Sequence, residues 1–210
     1  MSGNHASSGL RIVGLGGTVR PNSSTEKALR VALHAAAAEG AETQLFDGPF
    51  LAKLPHYDRE KSERTAEERS FVEAVRTADA LIVASPGYHA GISGLVKNAL
   101  DLLEDTAGDQ RVYLDGIAVG LIVTAHGWQA TASTLAALRA VVHALRAWPT
   151  PLGACINSAG GVFDAQGGCT VPQMEASLKI VGSQVVGFAR RQRASADQAA
   201  SLAAAGSPTA

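Results

Sequence analysis

The sequence has few of the residues that build covalent or metal-based frameworks. It contains two cysteines in 210 residues, Cys155 and Cys169, which are too few for a disulfide framework or a cysteine zinc site. No two histidines have the spacing of metal ligands, so we predict no metal site. No apolar run approaches the roughly 20 residues that a membrane-spanning helix needs. Residues 1–9 are small and polar, unlike a secretion signal. These absences favour a cytoplasmic protein with reduced thiols and no membrane partner.

An excess of charge of one sign is also missing. The chain has 18 Lys and Arg residues against 19 Asp and Glu residues, for a formal net charge of -1. This balance gives no electrostatic reason to expect a nucleic-acid partner. The G-x-S-x-G elbow of hydrolases is absent as well. What remains is a hydrophobic content of 46% with 18% charged residues, which is typical of a folded globular domain.

Short apolar segments alternate with segments of helical periodicity. We predict strands at residues 10–15, 41–46, 81–84, 116–124 and 152–157, and helices at residues 23–39, 65–78, 94–103, 130–147 and 171–193. Continuous apolar strands are typical of parallel sheets covered on both faces, so the prediction is a three-layer α/β fold. Two doubly wound arrangements fit, the strand order 2-1-3-4-5 and the six-stranded dinucleotide fold, and five strands favour the first.

The chain reads as one domain with two short flanking segments. Residues 10–193 carry all the predicted strands and helices. We expect residues 1–9 to form a flexible N-terminus. Residues 194–210 are rich in Ala and Ser, and we expect this tail to be frayed or disordered.

The loop after the first predicted strand has the composition of a phosphate site. Residues 16–25 read G-G-T-V-R-P-N-S-S-T and lead into a helix, whose N-terminus offers free N–H groups and a partial positive charge. Hydroxyls and one guanidinium would complete a phosphate cradle, and they belong to Thr18, Arg20, Ser23, Ser24 and Thr25. The alternative is a cluster of helix-capping hydroxyls on a solvated turn.

This loop differs from the dinucleotide fingerprint G-x-G-x-x-G. It begins correctly with Gly14 and Gly16, but Val19 occupies the last glycine position. A polar run then delays the helix, which in the dinucleotide turn follows at once. The mismatch favours a monophosphate, such as that of FMN, over a pyrophosphate.

A second loop follows the third predicted strand. Residues 85–101 read S-P-G-Y-H-A-G-I-S-G-L-V-K-N-A-L-D, with Tyr88 between Gly87 and Gly91. Glycines let a backbone approach a flat ligand closely, although an ordinary strand-to-helix turn has a similar composition. A phosphate loop after strand one and a ring loop after strand three together indicate FMN in a flavodoxin-like sheet.

Both loops resemble those of the NAD(P)H-dependent FMN reductase family. Residues 17–23 are similar to the family's phosphate loop G-S-x-R-x-x-S, and residues 85–101 are similar to its signature P-x-Y-x-x-x-x-x-G-x-x-K-N-x-x-D. The resemblance covers about residues 10–190. It implies a flavodoxin-like fold, FMN and NADH or NADPH as cofactors, and a homodimer or homotetramer.

The resemblance also implies which residues form the site. Thr18, Arg20, Ser23 and Thr25 would hold the phosphate, with Thr18 in place of the usual serine. The residues expected against the isoalloxazine are Pro86, Gly87, Tyr88, His89, Ala90, Ala125, His126 and Gly127. His89 and Gly87 depart from the family, in which an asparagine and an acid are frequent at these positions. Lys97, Asn98 and Asp101 match the signature but lie on a predicted helix, so we expect structural or interface roles for them.

The implied activity is hydride transfer from NADH or NADPH to N5 of FMN. The cofactor carries this chemistry, so we predict no catalytic protein residue. The reduced FMN would pass to a partner monooxygenase or a small-molecule acceptor. One alternative is a quinone, azo or chromate reductase that retains its FMN. Another is a non-enzymatic flavodoxin-type electron carrier, although such carriers are typically strongly acidic.

Overall fold

Five long strands form a parallel sheet in a computed structural model that describes residues 9–205. The strands are β1 (Arg11–Gly16), β2 (Glu42–Phe46), β3 (Ala80–Tyr88), β5 (Ala118–Ala125) and β6 (Trp148–Asn157). Their order is β2-β1-β3-β5-β6, which confirms the predicted order 2-1-3-4-5 for the long strands. The two-residue strand β4 (Gly91–Ile92) pairs antiparallel with the end of β3, and the sequence interpretation missed it.

Helices cover both faces of this sheet, as the prediction of three layers requires. They are α1 (Ser24–Ala38), α2 (Gly48–Leu51), α3 (Ala66–Arg76), α4 (Gly94–Asp101), α5 (Trp128–Ala144) and α6 (Pro172–Ala205). One buried cluster joins α1 and α6 to strand residues such as Ile12. The other joins α3, α4 and α5 to the next residue, Val13. Successive strand residues point to opposite faces, so each strand contributes to both cores.

Capping hydrogen bonds mark the starts of two helices. Thr65 and Glu68 form a complete capping box at α3, in which each side chain accepts the other's backbone N–H. At α1 the Ser23 hydroxyl accepts the N–H of Glu26. These bonds satisfy N–H groups that the first helical turn leaves free, so local sequence alone determines where both helices begin.

The last strand is longer than predicted. It begins at Trp148 rather than Leu152, because it includes Pro149 and Pro151, which we took as the end of the preceding helix. Among residues 9–205 this strand pairs with β5 alone, and proline is tolerated on an edge strand, where its missing N–H breaks no ladder on the open side. The α5 helix correspondingly ends earlier, at Ala144.

The C-terminal helix is also longer than predicted. We expected it to end at Arg193 and residues 194–210 to be frayed or disordered, but α6 continues to Ala205, so the prediction was wrong for residues 194–205. Alanine has the highest helix propensity, which explains why the Ala-rich composition extends the helix. Residues 206–210 of the expected tail and residues 1–8 of the expected flexible N-terminus lie outside the described residues.

Candidate functional site

A cleft opens at the carboxyl edge of the sheet, between the loops that follow β1, β3 and β5. Its volume is about 600 Å³, within the usual range for small-molecule sites. The lining residues are Thr18, Val19, Arg20, Ser23, Ser24, Thr25, Pro86, Gly87, Tyr88, Thr124, Ala125, His126, Ala130 and Ser158. It lies where strand order reverses between β1 and β3, the position at which doubly wound sheets bind ligands.

Ten of the thirteen predicted site residues line this cleft, and His89, Ala90 and Gly127 do not. The sequence interpretation missed Val19, Thr124, Ala130 and Ser158 as lining residues. Thr124 and Ser158 lie at the carboxyl ends of β5 and β6, so the rule that ligands bind at that edge could have found them. Ala130 lines the cleft from the first turn of α5, and its residue type carries no comparable signal.

A larger cavity of about 710 Å³ lies at the opposite, amino edge of the sheet. Two of its three arginines already have polar partners within the protein. Arg193 pairs with Asp79, and Arg111 donates to the backbone carbonyls of Val75 and Ala78. The cleft at the carboxyl edge is therefore the better candidate for a ligand.

The loop after β1 presents hydroxyls and one cation to the cleft. The Ser23 hydroxyl caps α1, as the capping alternative predicted. The Thr18 hydroxyl lies 3.2 Å from the backbone N and O of Arg20 and so bends the loop on itself. Within residues 9–205 the Arg20 guanidinium makes no ion pair. Capping therefore accounts for Ser23 and leaves Arg20 as a cation available to an anion.

A buried carboxylate holds this loop from behind. Glu26 is only 2% exposed, and its Oε2 accepts the backbone N–H of Asn22 at 2.9 Å. Asn22 has a φ of 55°, in the left-handed region that asparagine tolerates better than most residues. Arg30 donates to the Oε1 of Glu26 at 2.8 and 3.0 Å and so balances its charge. Ser23 and Glu26 have the spacing of a capping box, but the Glu26 carboxylate accepts the N–H of Asn22 instead of that of Ser23, one residue later.

Close backbone packing fixes the glycines of the same loop. A Cβ at Gly16 would lie 2.0 Å from the carbonyl oxygen of Ala84 on β3. A Cβ at Gly48, the first residue of α2, would lie 1.8 Å from the carbonyl oxygen of Thr18. Only glycine fits at these contacts without a backbone shift. No signal in the single sequence links Gly48 to Thr18, because the two meet only through packing.

A buried pair of hydroxyls joins the start of α1 to the end of β5. The Oγ1 atoms of Thr25 and Thr124 are 2.5 Å apart, and both side chains are nearly fully buried. The Thr25 hydroxyl thus shares its hydrogen-bonding capacity with Thr124. This contact ties the loop after β1 to the end of β5 across β3.

A hairpin forms the rim of the cleft at the end of β3. His89 and Ala90 make its turn with φ values of 50° and 67°, which cost non-glycine residues on the order of 1 kcal/mol each. Both residues are exposed and lie outside the cleft lining, contrary to the prediction. Tyr88 remains at the rim with 54% of its surface exposed.

Gly87 lines the cleft and also allows two elements to pack closely. A Cβ at this position would lie 2.7 Å from the Thr134 hydroxyl and 3.4 Å from the Ala130 carbonyl oxygen. The missing side chain therefore allows β3 to pack against α5. That Gly87 also lets a flat ligand approach the backbone stays a prediction. At Gly91, a Cβ would meet only the Tyr88 carbonyl oxygen within 4 Å, at 3.8 Å.

The loop after β5 closes the other side of the cleft. Ala125 and His126 line it, whereas the N–H of Gly127 donates to the Asn157 side chain at 3.1 Å. Gly127 has a φ of 129°, so it is the bend that starts α5. Ser158 reaches the cleft from the end of β6, with its hydroxyl 3.4 Å from the Ala125 carbonyl oxygen.

The charge distribution of the cleft suits an anion. Its lining contains one guanidinium, one imidazole and several hydroxyls, but no Asp or Glu. Hydroxyls and a guanidinium at a helix N-terminus match a phosphate, and the flanking backbone and Tyr88 suit a flat ring with polar edges. The residues present therefore fit FMN.

The sequence profile of the NADPH-dependent FMN reductases matches residues 10–160. The chain belongs to this FMN reductase family. It is therefore an oxidoreductase that uses FMN and NAD(P)H as cofactors.

Individual relatives agree with the family assignment. An NAD(P)H-dependent FMN reductase of Pseudomonas aeruginosa is 30% identical over 165 residues, which cover 75% of this chain and 83% of that protein. The structure of FerB, a flavoenzyme NAD(P)H:(acceptor) oxidoreductase from Paracoccus denitrificans, aligns with a TM-score of 0.72 at 21% identity over 87% of this chain and 98% of that one. A WrbA-like flavodoxin protein from Agrobacterium tumefaciens aligns with a TM-score of 0.59 at 16% identity, with 87% and 98% coverage. The two structures show that the fold is flavodoxin-like.

The FMN reductase signature on α4 has a structural role here. The Asn98 side chain accepts the N–H of Tyr57 and donates to the carbonyl oxygen of Pro55, both at 2.8 Å. Lys97 and Asp101 form an ion pair on the same helix. None of these three signature residues lines the cleft. Asn98 anchors the loop before α3 to α4, and the Lys97–Asp101 pair lies within the helix.

Two classes of site have no support in the part of the chain that the structure describes. No helix within residues 9–205 is long and apolar enough to cross a membrane. Over the same residues, no cluster of three His, Cys, Asp or Glu side chains could hold a metal ion.

Proposed function

We propose that this protein is an FMN reductase whose cleft holds FMN with its phosphate at the loop after β1. Thr18, Arg20, Ser24 and the N–H groups at the start of α1 would hold the phosphate, with Ser23 and Thr25 shaping the cradle. Pro86, Gly87 and Tyr88 would line the ring on one side, and Ala125 and His126 on the other. The observation that carries this proposal is the Arg20 guanidinium in a cleft without carboxylates.

When bound, FMN supplies the redox chemistry by accepting a hydride from NADH or NADPH at N5. The residues of this chain have to position the reactants and stabilise charge. The exposed Tyr88 and the turn beyond it leave one side of the cleft open, so a nicotinamide ring has room to enter. The free N–H groups at the start of α1 and the Arg20 guanidinium add positive potential at the phosphate end.

An FMN titration of the Arg20→Gln variant tests the phosphate assignment. Loss of a charge-assisted hydrogen bond costs roughly 1.5–3 kcal/mol, so we expect the Kd for FMN to rise about 10- to 100-fold. Arg59→Gln is the matched control, since Arg59 is an exposed arginine outside the cleft. Unchanged FMN affinity in Arg20→Gln, or equal losses in both variants, would contradict the assignment.

The reductase activity itself is tested by anaerobic addition of NADPH or NADH to the FMN-loaded protein. We expect the flavin absorbance to bleach with at least one of the two nucleotides, and the comparison gives the preference. FMN that binds but is bleached by neither nucleotide would favour the electron carrier over the reductase.

A second candidate is a quinone, azo or chromate reductase that retains its FMN. Contacts within the protein hold the loop after β1, namely Glu26 at Asn22 and the contact of Gly48 with Thr18. Preorganisation of this kind favours tight binding, because less ordering is required when the ligand enters. FMN that stays with the protein through gel filtration, together with ping-pong kinetics, would support retention. FMN that exchanges freely would support delivery of reduced FMN to a monooxygenase.

We further propose a cytoplasmic homodimer or homotetramer. A cytoplasmic location accords with the free thiols of Cys155 and Cys169. An assembly accords with the exposed apolar side chains of Trp148 and Ile180, which lie beside one groove between β6 and α6. Sedimentation equilibrium of the purified chain gives its mass directly, and a monomer at micromolar concentration would contradict the assembly.

A further inference from the structure

His126 places an imidazole in the cleft on a different loop from Arg20. Arg20 follows β1 and His126 follows β5, with β3 between them. Neighbouring strands lie about 4.8 Å apart, so the two loops are separated by roughly 10 Å. His126 is exposed and lines the cleft, whereas the family motif explains Arg20 but not a histidine at this position.

No carboxylate lining the cleft neutralises His126. Arg20 and Tyr88 lie in the lining, and His89 lies on the hairpin. The charged or titratable groups on the elements around them are Glu26, Lys27, Arg30 and His34 on α1, Arg139 and His143 on α5, Cys155 on β6 and Asp164 after β6. Glu26 is buried behind the loop and bonded to Arg30. Lys27 donates to the Asp164 carbonyl oxygen, and the first turn of α5 has no acidic residue. An imidazolium at His126 therefore adds to the positive potential of the cleft.

Reduction of FMN changes the charge of its ring. Hydride transfer converts NAD(P)H and FMN into NAD(P)⁺ and reduced FMN, so the ring system gains one negative charge until it takes up a proton from solvent. The oxidised ring is neutral at the same pH, and the phosphate carries the same charge in both forms. A cation at the ring end of the cleft favours the reduced form, whereas a cation at the phosphate end favours both equally.

We propose that His126 makes the cleft bind reduced FMN more tightly than it would without the imidazolium. This inference rests on the proposed function, because it requires FMN with its phosphate at Arg20. His126 acts through its charge on the reduced ring of FMN, and it donates no proton in the hydride step. Imidazole is the side chain that ordinarily changes its charge between pH 5 and pH 8, so the test is made at one pH inside that range and at one above it.

The test compares Kd values for oxidised FMN and for photoreduced FMN under anaerobic conditions. The proteins are the full chain, His126→Asn, His126→Gln and the control His143→Asn, each at pH 6.5 and pH 8.5. His143 is exposed in the last turn of α5, about 22 Å from the start of that helix at 1.5 Å per residue. A partly exposed charge pair is worth about fivefold in affinity. At pH 6.5 we therefore expect the ratio of the oxidised to the reduced Kd to fall about fivefold in both His126 variants and to stay unchanged in His143→Asn.

The midpoint potential of bound FMN gives an independent readout. A tenfold change in equilibrium constant corresponds to 29.6 mV for two electrons, so we expect the potential at pH 6.5 to fall by about 20 mV in the His126 variants. At pH 8.5 the variants and the wild type should agree. Equal weakening of both FMN forms would place His126 at the phosphate and overturn the inference, as would an unchanged ratio, and either result would leave the proposed function intact. Failure of the wild type to bind FMN in either form would overturn both.

Discussion

The contact between Gly48 and Thr18 makes alanine at position 48 the sharpest perturbation of the phosphate cradle. A Cβ on Gly48 would lie 1.8 Å from the carbonyl oxygen, 2.5 Å from the carbonyl carbon and 2.6 Å from the nitrogen of Thr18. Carbon atoms make non-bonded contacts at about 3.5 Å, so relief needs a shift of more than about 1 Å. These three nearest atoms all belong to the backbone, so rotation of a side chain cannot relieve the contact.

Alanine at position 48 should lower the stability of the protein, whereas alanine in place of an ordinary helical glycine raises it. Gly48 is the first residue of α2, and alanine in a helix is normally favourable by roughly 0.5–1 kcal/mol. Overpacking costs typically 1–3 kcal/mol, so we expect Gly48→Ala to destabilise the protein. For a chain of this size, each 1 kcal/mol lowers Tm by about 2–4 °C. Because the shift moves the Thr18 peptide, FMN affinity should also fall, by roughly tenfold or more.

A matched control separates this contact from the general effect of the substitution. Gly94 is likewise the first residue of a helix, and a Cβ there would meet nothing within 4 Å. Thermal unfolding and FMN titration of Gly48→Ala and Gly94→Ala give the two measurements. We expect Gly94→Ala to keep the wild-type Tm or raise it, with unchanged FMN affinity. A Gly48→Ala protein with wild-type Tm and FMN affinity would refute the packing argument.

Two further predictions concern buried groups. Glu26→Ala removes the acceptor for the Asn22 N–H and the partner of Arg30, so we expect lower stability and an FMN affinity reduced about tenfold, from the loss of a charged hydrogen bond of about 1.5 kcal/mol. Thermal unfolding and FMN titration measure both effects, and equal FMN affinity would show that the loop holds its shape without this carboxylate. Burial raises the pKa of the Cys155 thiol, so its thiolate fraction at neutral pH is below that of a free thiol. In a Cys169→Ser protein, alkylation of Cys155 should be slow at pH 7 and keep rising above pH 9, whereas a rate that levels off near pH 8 would contradict this prediction.

Much of the fold could be predicted because its signals are local. Ser23 and Thr65 cap helices through bonds to residues three positions later, and apolar runs indicate buried strands without reference to the rest of the chain. Predictions failed where a long-range contact or an edge position changed the outcome. Pro149 was read as the end of a helix because proline usually breaks regular structure, but an edge strand tolerates it.

The sequence by itself determined the order of the strands and helices and the two loops that carry the phosphate and ring motifs. Only the tertiary structure decided which side chains face the cleft. It pairs the hydroxyl of Thr25 with that of Thr124, 99 positions away, and it presses Gly48 against Thr18. It also leaves His89 in an exposed turn and brings His126 into a lining without carboxylates. Capping and periodicity act between near neighbours in sequence, whereas these contacts depend on how strands and helices pack, which no local pattern records.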